Sequence, residues 1–134
     1  MEYMEIFKAN KPTEAADFFR KKLIFTLGPM DIELARKNGR MTELVLIDVR
    51  AAEDYKEGHI PGAINLPEAE WPTLKGLSKD KLNVVYCYAL TCHLAARAAL
   101  FFAEKGFPVS ELEGGWEDYK GHELEVETGE RKVA

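Results

Sequence analysis

Residues 83–105 read NVVYCYALTCHLAARAALFFAEK, and this stretch holds the fold in miniature. NVVY at 83–86 is uncharged and β-favouring, as a strand covered on both faces would be. The composition then changes to alanine and leucine, good helix formers, over 92–105, and Gly106 stops the run. Ala95, Ala98 and Ala99 leave little bulk, so the helix can pack close to a sheet. A strand feeding a helix through a short loop is the repeating unit of α/β proteins.

The same alternation extends in both directions. Residues 44–49 (LVLIDV) are apolar almost throughout, 63–66 (AINL) form a short strand closed by Pro67, and 109–112 form the last core strand. Helices are predicted over 12–22, with Pro12 at the start and Arg20, Lys21 and Lys22 in the last turn. Further helices are predicted over 29–37, stopped by Asn38-Gly39, over 52–56, ended by Gly58, and over 116–120, after the Gly114-Gly115 turn. Residues 68–74 read as one irregular helical turn, and 23–27 (LIFTL) as a compact β-favouring run. From Gly121 onward, through Glu123, Glu125 and Glu127, the tail reads as a surface strand or a frayed end. The pattern predicts an α/β fold, a mostly parallel central sheet with helices on both faces. Residues 1–28 are expected to form a helical extension plus a first strand, packed on a domain at 29–134 in a single compact unit.

Composition narrows the functions. The 134 residues are 46% hydrophobic and 31% charged, with a net charge of -5. That balance suits a globular domain and supplies no basic field for nucleic acid or an anionic membrane. No apolar run is long enough to span a bilayer. The opening MEYMEIFKANKP breaks its apolar residues with Glu2 and Glu5 and makes a poor signal peptide, so a cytoplasmic location is expected.

The two cysteines, Cys87 and Cys92, are bunched in one segment. A disulfide over so short a loop would stabilise little, and a closed zinc site lacks ligands, with only His93 close by in sequence. Chemistry is the better reading, at a place where α/β folds bind ligands: the carboxyl end of a strand. A thiol there faces the unpaired N–H groups of a helix start, and a loop curling around it adds more. Both favour thiolate, and a persulfide would be held by the same donors. An ordinary buried core cysteine remains the alternative at this point.

Other residues sharpen the case. Leu46-Ile47-Asp48-Val49-Arg50, then Tyr55, then residues 58–65 (GHIPGAIN) resemble the first signature of the rhodanese family. Val84-Val85-Tyr86-Cys87 before an alanine-rich helix is similar to that family's active-site segment, and Leu112-Glu113-Gly114-Gly115-Trp116 to its closing motif. The resemblance runs from about Pro29 to Tyr119. It implies the rhodanese fold, Cys87 as sulfur-accepting nucleophile, and cyanide or small thiols as generic acceptors. Asp48 and Arg50 are expected to pair with each other, with backbone, or with His59, because unpaired buried charge is expensive. His59 is read as a hydrogen-bonding element of the fold, and Trp116 as packing near the site.

The loop departs from the family. Single-domain rhodaneses often hold glycine at the third position after the cysteine and arginine at the fifth; here these are Leu90 and Cys92. The loop Cys87-Tyr88-Ala89-Leu90-Thr91-Cys92 carries no formal positive charge. Without a guanidinium fork, thiosulfate loses its natural anchor. His93 and Arg97 lie further along, and Arg97 reads as an ordinary helix-surface residue. Related phosphatases and arsenate reductases resemble a pattern with arginine where His93 stands, so those activities are disfavoured.

The expected function is therefore a sulfurtransferase or sulfur relay carrying sulfane sulfur as a persulfide on Cys87. Its partners would be a small sulfur donor or a persulfide-donating protein, and a thiol, cyanide or protein acceptor. No cofactor or metal is implied. A redox protein built on a Cys87/Cys92 disulfide, reopened by a thioredoxin-like reductant, and a non-catalytic binding module are the alternatives.

Overall fold

Strand parity decides which side chains meet. The structure, a computed structural model, describes residues 2–131. Five parallel strands form the sheet: β1 (Thr26–Leu27), β2 (Leu44–Asp48), β3 (Ile64–Asn65), β4 (Leu82–Tyr86) and β5 (Val109–Leu112), in the order β1-β5-β4-β2-β3. The helices are α1 (Pro12–Phe25), α2 (Pro29–Lys37), α3 (Ala52–Glu57), α4 (Leu94–Glu104) and α5 (Gly115–Gly121). Side chains alternate across a pleated strand, so each buried strand feeds two cores. Leu46, Val84, Tyr86 and Leu112 point to one face and meet Ile32 of α2, Tyr55 of α3 and Trp116 and Tyr119 of α5. Ile47, Val85 and Cys87 point to the other and meet Ala95, Ala98 and Phe102 of α4, with Trp71 beside them. Burying a ring such as that of Phe102 stabilises by about 1.5–3 kcal/mol.

Three expectations need correction. The LIFTL run is not a strand: α1 continues through Phe25, and only Thr26 and Leu27 pair with β5. Leu23, Ile24 and Phe25 stay exposed, so no buried sheet face drew them out of the helix. The alanine-rich helix begins at Leu94, which leaves Cys92 in the loop before it. Between Gly121 and Arg131 the tail is held down without forming a regular strand. Leu124 packs on the core, and Glu127 forms a lone antiparallel bridge with His59. Positions 132–134 of the expected domain, and Met1 of the extension, lie outside the described residues.

Buried polar groups brace the sheet. Asn65 donates from Nδ2 to the carbonyls of Asp48 and Arg50, tying β3 to the turn after β2. Asn83 does the same at the other end of the sheet, donating to Ser78, Lys81 and Pro108 carbonyls. Such side chains replace backbone partners that loops cannot supply. No helix among the described residues is long and apolar enough to cross a membrane.

Candidate active site

Cys87 leaves β4 on the face covered by α4, and the small side chains of Ala95 and Ala98 let the start of α4 approach it. Cys87 is 2% exposed. Its Sγ–H donates to the Cys92 carbonyl at 3.4 Å. Burial pushes the Cys87 thiol up to about 11 and the side chain of Cys92 adds to the rise, against the opposing pull of the Ala95 and Tyr88 amides. The Tyr88 and Ala95 amides favour charge on the sulfur, and burial works against it. Desolvation outweighs the two amides at Cys87.

Cys92 is half-buried, its N–H bonded to the Ala89 carbonyl at 3.0 Å in a turn that folds the loop back towards Cys87. Burial opposes charge here too. The neighbouring Cys87 thiol, the amides of Leu94 and Tyr88 and the field of Arg97 together hold the Cys92 thiol below its ordinary range. The neighbourhood therefore favours thiolate at Cys92 more than at Cys87. Both are reduced.

The loop is fixed from below by α5. The Trp116 and Glu117 N–H groups donate to the Cys87 and Tyr88 carbonyls, both at 2.9 Å. This close approach explains Gly115: a Cβ there would lie 2.7 Å from the Cys87 carbonyl oxygen, and its φ of +59 favours glycine in any case. Tyr88 is tied sideways, donating to Asp54 Oδ2 at 2.5 Å and accepting from the Ala51 N–H at 3.2 Å. Burial and the Asp54 carboxylate both raise its phenol.

Asp48 and Arg50 meet in a buried fork: Nη2 to Oδ2 at 2.7 Å, and Nε to both carboxylate oxygens at 3.1 Å. Nη2 also donates to the Gly58 carbonyl at 2.6 Å. The guanidinium lies 4.7 Å from the Trp116 ring centroid and 5.8 Å from those of Tyr86 and Tyr88. This cluster sits on the sheet face opposite the Cys87 side chain and reaches the loop only through Tyr88 and Trp116. His59 does not join it. Its Nδ1 donates to the Tyr55 carbonyl at 2.6 Å, its ring stacks on Tyr55 at 3.6 Å, and Nε2 lies 3.0 Å from Glu127 Oε1.

Leu90 and Thr91 form the outer rim of the loop, Leu90 at 68% exposure. Together with Ala89, Gly28, Gly114, Glu113, Glu117 and Asp118 they line a cleft of about 550 Å³. Its charged residues are all carboxylates. His93 and Arg97 are exposed beside the loop; Arg97 is felt at Cys92 and His93 at Glu111. Sequence reasoning missed Asp54 and the three cleft carboxylates. Nothing local marked them, because α3 brings Asp54, and the turn after β5 and α5 bring the other acids, to the loop only in three dimensions. Among the described residues no three His, Cys, Asp or Glu side chains gather to hold a metal ion.

Comparison with known proteins shows the family. Residues 32–122 match the rhodanese-like domain family. The chain is 34% identical over 92 residues to the thiosulfate sulfurtransferase GlpE of Coxiella burnetii, covering 67% of this chain and 80% of that protein. It is 39% identical over 88 residues to an HTH-type transcriptional regulator of Mycobacterium tuberculosis, 65% of this chain, and spans only 39% of the regulator's length. A crystal structure of a Bacillus halodurans protein superposes with a TM-score of 0.81 at 40% identity, covering 88% of this chain and 87% of that one.

Proposed function

This chain belongs to the rhodanese-like domain family, and from that premise we propose a sulfurtransferase or sulfur relay in which Cys87 carries sulfane sulfur as a persulfide. The observation that carries the reading is the placement of Cys87 at the end of a buried strand, against the first turn of α4, where the Ala95 and Tyr88 amides favour negative charge on its sulfur. A buried thiol makes a poor nucleophile, but the neighbouring Cys92 thiolate offers a base. Passing the Cys87 proton to the Cys92 thiolate leaves the charge on Cys87. The Cys87 thiolate then attacks the sulfane sulfur of a donor R–S–SH, and RS⁻ leaves. The added sulfur extends the charge outward, and a thiol, cyanide or protein nucleophile removes it, returning Cys87 as thiolate.

Charge supports a particular class of donor. No cation stands between Cys87 and Cys92, the adjoining cleft bears Glu113, Glu117 and Asp118, and the Arg50 fork is already occupied by Asp48. A dianion such as thiosulfate meets no bidentate partner there. A polysulfide or a persulfide borne by a thiol or a protein does not need one. The cytoplasmic setting expected from the sequence suits such thiol chemistry.

The test is discharge to cyanide. Protein pre-exposed to polysulfide or to thiosulfate is mixed with cyanide and the thiocyanate formed is measured. Thiosulfate is expected to serve at least ~10-fold more slowly than polysulfide, for want of the fork, and Cys87→Ser to give no thiocyanate above the uncatalysed rate. A Cys87→Ser protein as active as the wild type would remove Cys87 from the role.

A further inference from the structure

We propose that Cys92 is a resolving nucleophile: its sulfur attacks Sγ of a loaded Cys87, expels the outer sulfur as hydrosulfide and closes a Cys87–Cys92 disulfide. This rests on Cys87 as the sulfur carrier and assigns the second thiol an activity that the transfer reaction does not require. The protein becomes a reductase of sulfane sulfur as well as a carrier.

The geometry points to this thiol because it is already in place. The loop turns back at Ala89–Cys92, so that Cys87 Sγ lies 3.4 Å from the carbonyl of a residue five positions along, and each thiol is felt in the ionisation of the other. An outside acceptor must reach a sulfur on a residue that is only 2% exposed, past the rim made by Leu90 and Thr91. A resident thiol faces no such barrier, and holding two reactants side by side replaces a bimolecular encounter with an internal step. The environment also suits the role. The amides of Leu94 and Tyr88 and the field of Arg97 favour thiolate at Cys92, which is what thiol–disulfide exchange requires of the attacking group.

The step balances. In Cys87–S–SH plus Cys92–S⁻, the Cys92 sulfur forms a bond to Cys87 Sγ while the bond between Sγ and the outer sulfur breaks. The bonding pair leaves with the outer sulfur as HS⁻, which keeps its proton. The sulfane sulfur is reduced to sulfide and the two cysteine sulfurs are oxidised to a disulfide. A dithiol reductant then reopens the bridge by exchange and is itself oxidised, restoring both thiols. The charge on Cys92 and the proton on the outer sulfur define the reactive form, so the one charge shared by the pair suffices.

The experiment compares wild type with Cys92→Ser and Cys92→Ala, each exposed to inorganic polysulfide, desalted and left without reductant. Intact mass and released sulfide are followed. The wild type is expected to lose two hydrogens and release about one sulfide per chain, the stoichiometry of one exchange. Both Cys92 variants are expected to retain one added sulfur and release none until a thiol is supplied. Wild type that holds the added sulfur as stably as the variants overturns the resolving role and leaves the carrier reading standing. Failure of all three proteins to acquire sulfur or a disulfide removes both. Because serine and alanine differ in hydrogen bonding but share the loss of sulfur, agreement between them ties the result to the Cys92 thiol.

Discussion

The loops after β2 and β4 leave the carboxyl ends of adjacent inner strands, and they treat charge in opposite ways. After β2, Asp48 and Arg50 are both buried and satisfy each other, with Gly58 and three aromatic rings completing the cage. After β4, the chain from Cys87 to Cys92 has no charged side chain, and its hydrogen bonds to the rest of the protein pass mainly through backbone carbonyls and the Tyr88 hydroxyl. One loop uses charge to hold shape. The other leaves charge to sulfur. The arginine missing from the sulfur loop therefore has no substitute in Arg50, which lies on the opposite face of the sheet and is fully engaged.

The largest expected effect comes from breaking the charged loop. Arg50→Ala leaves Asp48 buried without its partner, a change worth ~3–5 kcal/mol. Urea unfolding measures it, and a loss within the scatter of surface substitutions would mean that the cage is not supporting that loop. Next comes Gly115→Ala, which joins the two regions by pressing a methyl group against the Cys87 carbonyl. With a left-handed backbone to strain as well, it is expected to cost ~1–3 kcal/mol and to slow sulfur loading. Retention of both full stability and loading would contradict the close packing of α5 under the loop.

Adding charge to the uncharged loop gives a smaller effect. Leu90→Arg is expected to raise the rate with thiosulfate relative to polysulfide by ~3–10-fold at low salt, and the gain should shrink as ionic strength rises. A ratio that does not move would show that something other than the missing cation disfavours the dianion. The smallest effect is a shift in titration. Burial and then Cys92 hold Cys87 up at about 11, so Cys92→Ala removes a raising influence and Cys87 should ionise at lower pH. The sign reverses for the partner: Cys87→Ala takes away a neighbouring thiol that lowers Cys92, whose thiolate should then form at higher pH. Iodoacetamide kinetics across alkaline pH read both directions.

How much of this was legible in the sequence follows from the range of the interactions. Runs such as LVLIDV and NVVY are recognisable because burial on both sheet faces strips a strand of charge. The helix at 29–37 was framed by its own proline and glycine signals. LIFTL misled because three apolar residues fit the end of a helix as readily as a strand, and only the short pairing of Thr26 and Leu27 with β5 decides between them. Cys92 was visible as a second thiol, but spacing says nothing about which sulfur holds the charge. That depends on burial, on amides from α4 and on Arg97. The tail over His59 and the acids of the cleft are contacts between distant segments, which no local pattern records.

The most direct test is a crystal structure of Cys92→Ser after exposure to polysulfide. The expected result is an additional sulfur bonded to Cys87 Sγ, with main-chain N–H groups of the loop and the start of α4 within hydrogen-bonding distance of it. An unmodified Cys87, or an added sulfur whose neighbouring amides point away, would contradict the account.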